Sequence, residues 1–199
     1  MILREMNHRI KNLFALANSL VALSARGANS VDELADDLSA RLQSLSRAHA
    51  LILADFSEDG RSEGGTTLPA LIGEVLAPYN DDWHARIVID GDAVPIGHQA
   101  MPTLGLLFHE LATNAAKYGG LASVDGRLRI DIAVVGELAE IRWCESGGPK
   151  RDENTPMTQG FGSRLELTSV TTLRGKLDRT WHDSGLEVHM TFPLARIGR

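Results

Sequence analysis

The apolar positions divide the chain into two unlike halves. From Ile2 to about Arg26, Leu3, Met6, Ile10, Leu13, Ala17 and Leu20 recur by threes and fours, the seam of a packed helix. Gly27 ends it. Ser30 and Glu33 then form a capping-box pattern, and Val31, Leu34, Leu38, Leu45 and Ile52 carry a second seam to about Phe56. Two helices with one apolar stripe each form a hairpin whose stripe stays largely uncovered. Pairing with a second hairpin in a four-helix bundle, as a homodimer, is therefore expected.

The stretch Ser57 to Thr67, dense in Ser, Glu, Asp and Gly, reads as a linker. Beyond it the pattern predicts a helix from about Pro69 to Ala77, a strand from Arg86 to Asp90, and a long helix from about Gln99 to Tyr118 ended by Gly119. Strands then dominate: Leu128, Ile130 and Ile132 alternate with polar residues, Leu138 to Glu145 follows, and Lys176 to His182 and Leu186 to Phe192 close the chain. A glycine-rich loop, Ser146 to Gly162, and a short helix from about Ser163 to Leu173 lie between them. The fold class is α+β: a helical hairpin, residues 1–58, followed by an α/β sandwich, residues 63–199, with helices on one face of an antiparallel or mixed sheet.

Composition narrows the function. The 199 residues are 43% hydrophobic and 23% charged, as in a globular chain, and the formal charge of −6 disfavours binding to nucleic acid or anionic membrane through bulk electrostatics. The lone Cys144 cannot form an internal disulfide, which fits a reducing cytoplasm. No apolar stretch approaches the roughly 20 residues that cross a bilayer, so any membrane attachment is expected outside this segment.

Three constellations carry candidate chemistry. With Leu3 at heptad position a, His8 falls at f and faces water, bordered by Glu5, Lys11 and Asn12. An exposed imidazole is mostly neutral at pH 7 and keeps a lone pair for nucleophilic attack, although an exposed His on a helix is ordinarily just solvated. On the long helix, Glu110, Asn114, Lys117 and Tyr118 fall in one stripe beside the apolar Leu104, Leu107, Leu111 and Ala115. An amide and a carboxylate suit Mg²⁺, an ammonium suits phosphate, and a ring suits a purine face; the plain alternative is a solvated helix edge. Finally, Trp143, Glu145, Gly147, Gly148 and Pro149 precede a polar loop that leads to Gly160, Phe161, Gly162 and Ser163 at a helix start, where free amides attract phosphate.

In this order the segments are specific. His8-Arg9-Ile10-Lys11-Asn12, Arg47-Ala48-His49, His109 through Tyr118, Trp143 through Pro149 and Gly160-Phe161-Gly162-Ser163 resemble the HWE histidine kinases, named for the His at 109 and the Trp and Glu at 143 and 145. The resemblance spans nearly the whole chain. It implies a sensor histidine kinase core: a dimerisation and phosphotransfer hairpin joined to an ATP-binding domain of the type shared with gyrase and heat-shock chaperone ATPases. His8 would accept the phosphoryl group from ATP and pass it to an aspartate on a response regulator receiver domain. Asn114 would hold Mg²⁺, with Glu110 beside it as a metal-orienting or basic group. Lys117 would meet the phosphates, Tyr118 the adenine, and Glu145 the adenine amino group, with Gly147 the first glycine of that box. Gly160, Gly162 and Ser163 would bind the nucleotide, and the loop from Ser146 to Gly162 would be the ATP lid.

Two departures from the commoner histidine kinase pattern belong to the HWE pattern itself. Arg9 stands where many kinases carry an acid after the phosphoacceptor, which leaves Glu5, one turn earlier, as a candidate proton acceptor. Pro149 replaces the second glycine of the adenine box and should stiffen the start of the lid. His49 reads as a packing residue on the second helix, and Trp83 and Trp181 as packing or surface residues. His182 and His189 lie on alternating strands without a matching carboxylate, so no metal site is assigned to them. Two rivals remain, a serine kinase of the anti-sigma-factor type and a dimerisation scaffold that binds nucleotide without turning it over. The phosphoacceptor segment begins within a few residues of Met1, so a segment of a longer receptor with its sensor upstream is expected.

Overall fold

The computed structural model describes residues 18, 21, 24, 25, 30–54, 66–80, 86–149 and 161–198, without the side chains of 37, 44, 45, 47–54 and 161–164. His8, residues 55–65 with most of the expected linker, Trp83 and the loop residues 150–160 lie outside them, as does the side chain of His49. Asn18, Val21, Ser24 and Ala25 are helical. Helix α1 follows at Val31–Ala54, and the Ser30 hydroxyl accepts from the Glu33 amide at 3.1 Å, as the capping pattern requires. Val31 is 80% exposed, so the buried side of α1 begins one turn later than the apolar spacing predicts.

Thr67 caps α2, Leu68–Leu76, and also bridges to Pro95, so it belongs to the second half of the chain rather than to the linker. All of Leu68, Leu71, Ile72, Val75 and Leu76 are buried. A 3-10 turn, Ala77–Tyr79, continues it. Helix α3, Met101–Tyr118, starts two residues later than expected and turns Leu104, Leu107, Phe108, Leu111 and Ala115 inward. Helix α4 covers Phe161–Thr172, and the short α5, Leu194–Ile197, was not expected from the sequence.

Five strands, β1 Ile87–Gly91, β2 Arg127–Val135, β3 Leu138–Ser146, β4 Lys176–His182 and β5 Gly185–Pro193, form one sheet in the order β1-β2-β3-β5-β4. β1 runs parallel to β2 and the other pairs are antiparallel, so the sheet is mixed. Register stacks the apolar rows: Ile130 faces Trp143, which faces Val188, and Ile132 faces Ile141, which faces Met190. Their side chains share one cluster with α2 and α3. Alternate positions point the other way and carry charge, as where Arg129 pairs with Asp131 at 2.6 Å. The expected α+β layering therefore holds, and α1 packs against α2 and α3.

Candidate active site

Helix α3 runs between α1 and α4, and its polar residues take different partners on different flanks. Glu110 is 3% exposed and faces α1, where Arg41 donates from Nε to Oε1 at 2.7 Å and from Nη2 to Oε2 at 3.4 Å. Asn114 faces α4, and its Nδ2 donates to Glu166 Oε1 at 3.3 Å. Lys117 is exposed, and Tyr118 is 71% exposed at the helix end. Asn114, four residues on, is offset from Glu110 by only about 40° around the helix, so the two side chains share an edge of α3 but reach partners on opposite sides of it.

The stripe predicted as one site is therefore two. Glu110 and Lys117 line a cavity of about 290 Å³ together with Asp36, Arg41, Tyr79 and His109. Asn114 belongs to the other side. The prediction of Glu110 as a metal ligand meets a guanidinium in this arrangement, since both carboxylate oxygens already accept from Arg41.

Glu145 lies two residues past Trp143, on the buried face of β3 and opposite Leu128. Residues two apart on a strand share a face, so the indole of Trp143 comes beside it. Trp143 Nε1 donates to Oε1 at 2.9 Å, and the backbone N–H of Gly120 donates to Oε2 at 2.8 Å. Burial raises the pKa of Glu145, while these two hydrogen bonds and the charge of Arg179 oppose the rise. Burial also lowers the pKa of Arg179, against the pull of Glu145.

Bare backbone surrounds this carboxylate. Helix α3 stops at Gly119 in an extended conformation, φ −112°, rather than a left-handed one, and the reason for glycine is space: a Cβ there would run into Glu145 Oε2. A Cβ on Gly148 would come 2.7 Å from the Gly119 carbonyl oxygen, so the ends of α3 and β3 touch backbone to backbone. Gly147 is left-handed at φ 69°, where a side chain would be strained. The backbones of Gly162 and Ser163 lie in the first turn of α4, and Gly160 lies outside the described residues.

A family described as HWE histidine kinase matches residues 5–93. Blue-light-activated histidine kinase 1 of Erythrobacter litoralis is 31% identical over 97% of this chain and 53% of its own length. The blue-light-activated histidine kinase of Brucella anthropi is 34% identical over 98% of this chain and 39% of its own. The family match lies within the first half of the chain, and the two relatives that align with nearly all of it are both histidine kinases. It spans about half or less of the length of these two relatives. In fold, the chain matches the histidine kinase domain of the Erythrobacter litoralis EL346 blue-light activated kinase with a TM-score of 0.64, at 20% identity, over 93% of this chain and 98% of that one. The catalytic domain of histidine kinase ThkA matches with a TM-score of 0.51, at 17% identity, over 64% of this chain and 92% of that one.

Trp143 and Glu145 act as one unit here, since the indole of one donates to the carboxylate of the other. Three side chains at this site were not singled out from the sequence: Arg41, Glu166 and Arg179. Glu166 is 2% exposed and ion-paired with Arg179 of β4. The histidine reading also needs correction, because His182 Nε2 lies 3.3 Å from Glu187 and His189 Nε2 lies 3.8 Å from Glu140. Each has a carboxylate across the strand ladder, on the sheet face that carries the other charged pairs. No group of three His, Cys, Asp or Glu placed to hold a metal occurs among the described residues, and no described helix is long and apolar enough to cross a membrane.

Proposed function

We propose that this chain is the transmitter part of a sensor histidine kinase, which phosphorylates His8 from ATP and hands the phosphoryl group to an aspartate of a response regulator. The observation that carries this reading is the Glu145 carboxylate, fixed by Trp143 and Gly120 beside glycines that leave the backbone bare. A carboxylate has about four lone-pair sites, so after these two bonds Glu145 can still accept from the amino group of adenine. Tyr118, exposed at the end of α3, is free to lie on the ring, and Lys117 can reach phosphate. The first turn of α4, from Phe161 to Ser163, offers amides to the same phosphates, with Gly160 leading into it.

Asn114 suits Mg²⁺, because its neutral amide oxygen is a hard donor and its NH₂ is already engaged by Glu166. Asn114 would hold the ion, and Glu110 stays with Arg41 in the arrangement seen here. When bound, Mg²⁺ neutralises charge on the phosphate chain. A ring nitrogen of His8 attacks the γ-phosphorus, the bond to the bridging oxygen breaks, and ADP leaves. The imidazole proton passes to a base, for which Glu5, three residues earlier in the sequence, is the candidate. Residues 1–58 would form the phosphotransfer hairpin and dimer seam, and residues 63–199 the ATP-binding module, working in the cytoplasm.

The test is labelling with γ-labelled ATP and Mg²⁺. One acid-labile phosphoryl group is expected, lost in His8→Ala without loss of nucleotide affinity. Acid-stable label would indicate a serine kinase, and nucleotide binding with no label would indicate a scaffold.

A further inference from the structure

Glu166 belongs to none of the motifs that define the family resemblance, yet it is a carboxylate buried to 2% exposure beside the proposed nucleotide site. Its Oε2 is ion-paired with Arg179, and its Oε1 accepts from Asn114 Nδ2 at 3.3 Å. A buried ion pair needs no third partner for its own charge balance. The contact with Asn114 therefore has a separate chemical consequence. An ionised carboxylate only accepts hydrogen bonds, so the Asn114 amide must turn its NH₂ toward Glu166. The opposite prong, Oδ1, is then directed away from α4, and it is the only side-chain atom of Asn114 able to ligate a hard cation.

We propose that Glu166 is a positioning residue that locks the Asn114 amide with Oδ1 toward the Mg²⁺ site, and that Arg179 anchors Glu166 for that task. The proposal rests on the reading of Asn114 as a metal ligand. Without the lock, the two amide orientations compete, and one of them presents N–H donors to a cation. Partners that orient a metal ligand in this way commonly change metal affinity by about 10- to 100-fold.

Two double variants of the full chain test it. Glu166→Leu with Arg179→Leu removes both charges together, a replacement that buried ion pairs often tolerate. Glu166→Arg with Arg179→Glu keeps an ion pair but faces Asn114 with a donor, which should flip the amide. Binding of the imido analogue of ATP is measured by calorimetry across a Mg²⁺ series and in EDTA. In variants that unfold cooperatively, the Mg²⁺ concentration at half-effect should rise about 10-fold or more, more in the swapped pair, while binding in EDTA stays at the wild-type value. A wild-type Mg²⁺ requirement in either folded variant overturns the positioning role; if Asn114→Ala meanwhile loses the Mg²⁺ dependence, the metal reading of Asn114 stands without it. Asn114→Ala with unchanged Mg²⁺ dependence overturns both.

Discussion

Arg41 of α1 reaches into α3 and places its Nε 2.7 Å from Glu110 Oε1, with the two side chains only 8% and 5% exposed. Its Nη1 also donates to Ser24 Oγ at 3.1 Å, so one guanidinium joins the preceding helical segment, α1 and the nucleotide module. Breaking a buried pair by removing one partner leaves an uncompensated charge and costs about 3 to 5 kcal/mol, far more than an exposed pair is worth. Arg41→Leu should therefore lower the unfolding free energy by about that amount, and adding Glu110→Leu should recover part of it. Urea unfolding of the wild type and the single and double variants measures this; a loss below about 1 kcal/mol would mean that the pair behaves as a surface contact.

Much of this architecture was legible because periodicity reports burial directly. The row Leu128, Ile130 and Ile132 and the helix stripe from Leu104 to Ala115 did enter the core. Arg41 was not legible, since an arginine on a polar helix face reads as solvated until the helix that covers it is known. Glu166 and Arg179 sit on a short helix and a separate strand, and only the sheet order brings them together. The bond from Trp143 to Glu145 could have been read, because residues two apart on a strand share a face. Helix α5 escaped because four residues are too few to show a helical period.

Gly119 gives a test of why the carboxylate needs bare backbone. Its φ of −112° is not left-handed, so the effect of Gly119→Ala arises from what the new Cβ meets, Glu145 Oε2 foremost and the Ala115 Cα at 3.0 Å after it. The substitution should cost about 1 to 3 kcal/mol, the usual penalty for overpacking, and should weaken ADP binding. In a Glu145→Ala background only the tight approach to the Ala115 Cα, 3.0 Å, remains, so the same change should cost much less. A double-mutant cycle read by thermal unfolding checks the coupling, and additive effects would place the collision elsewhere.

The titration of Glu145 should make stability fall with rising pH. Burial is the largest influence on this carboxyl and holds its folded pKa above the ordinary value of 4.5. Between those two values the folded chain keeps a proton that the unfolded chain has lost, so this group's stabilisation is fully present below the ordinary value and is lost as pH rises through the folded one. A carboxylate held by a strong ion pair behaves in the opposite sense. Glu145→Gln removes the titration, so the melting temperature of the wild type relative to this variant should decline as pH rises from acid toward neutral. Trp143→Phe keeps the ring but deletes the indole N–H, one of the interactions that holds the value down. The decline should then extend to higher pH in Trp143→Phe. Thermal unfolding of the three proteins across this range gives the comparison; a wild type that gains stability over Glu145→Gln as pH rises would show that the hydrogen bonds and Arg179 outweigh burial at this site.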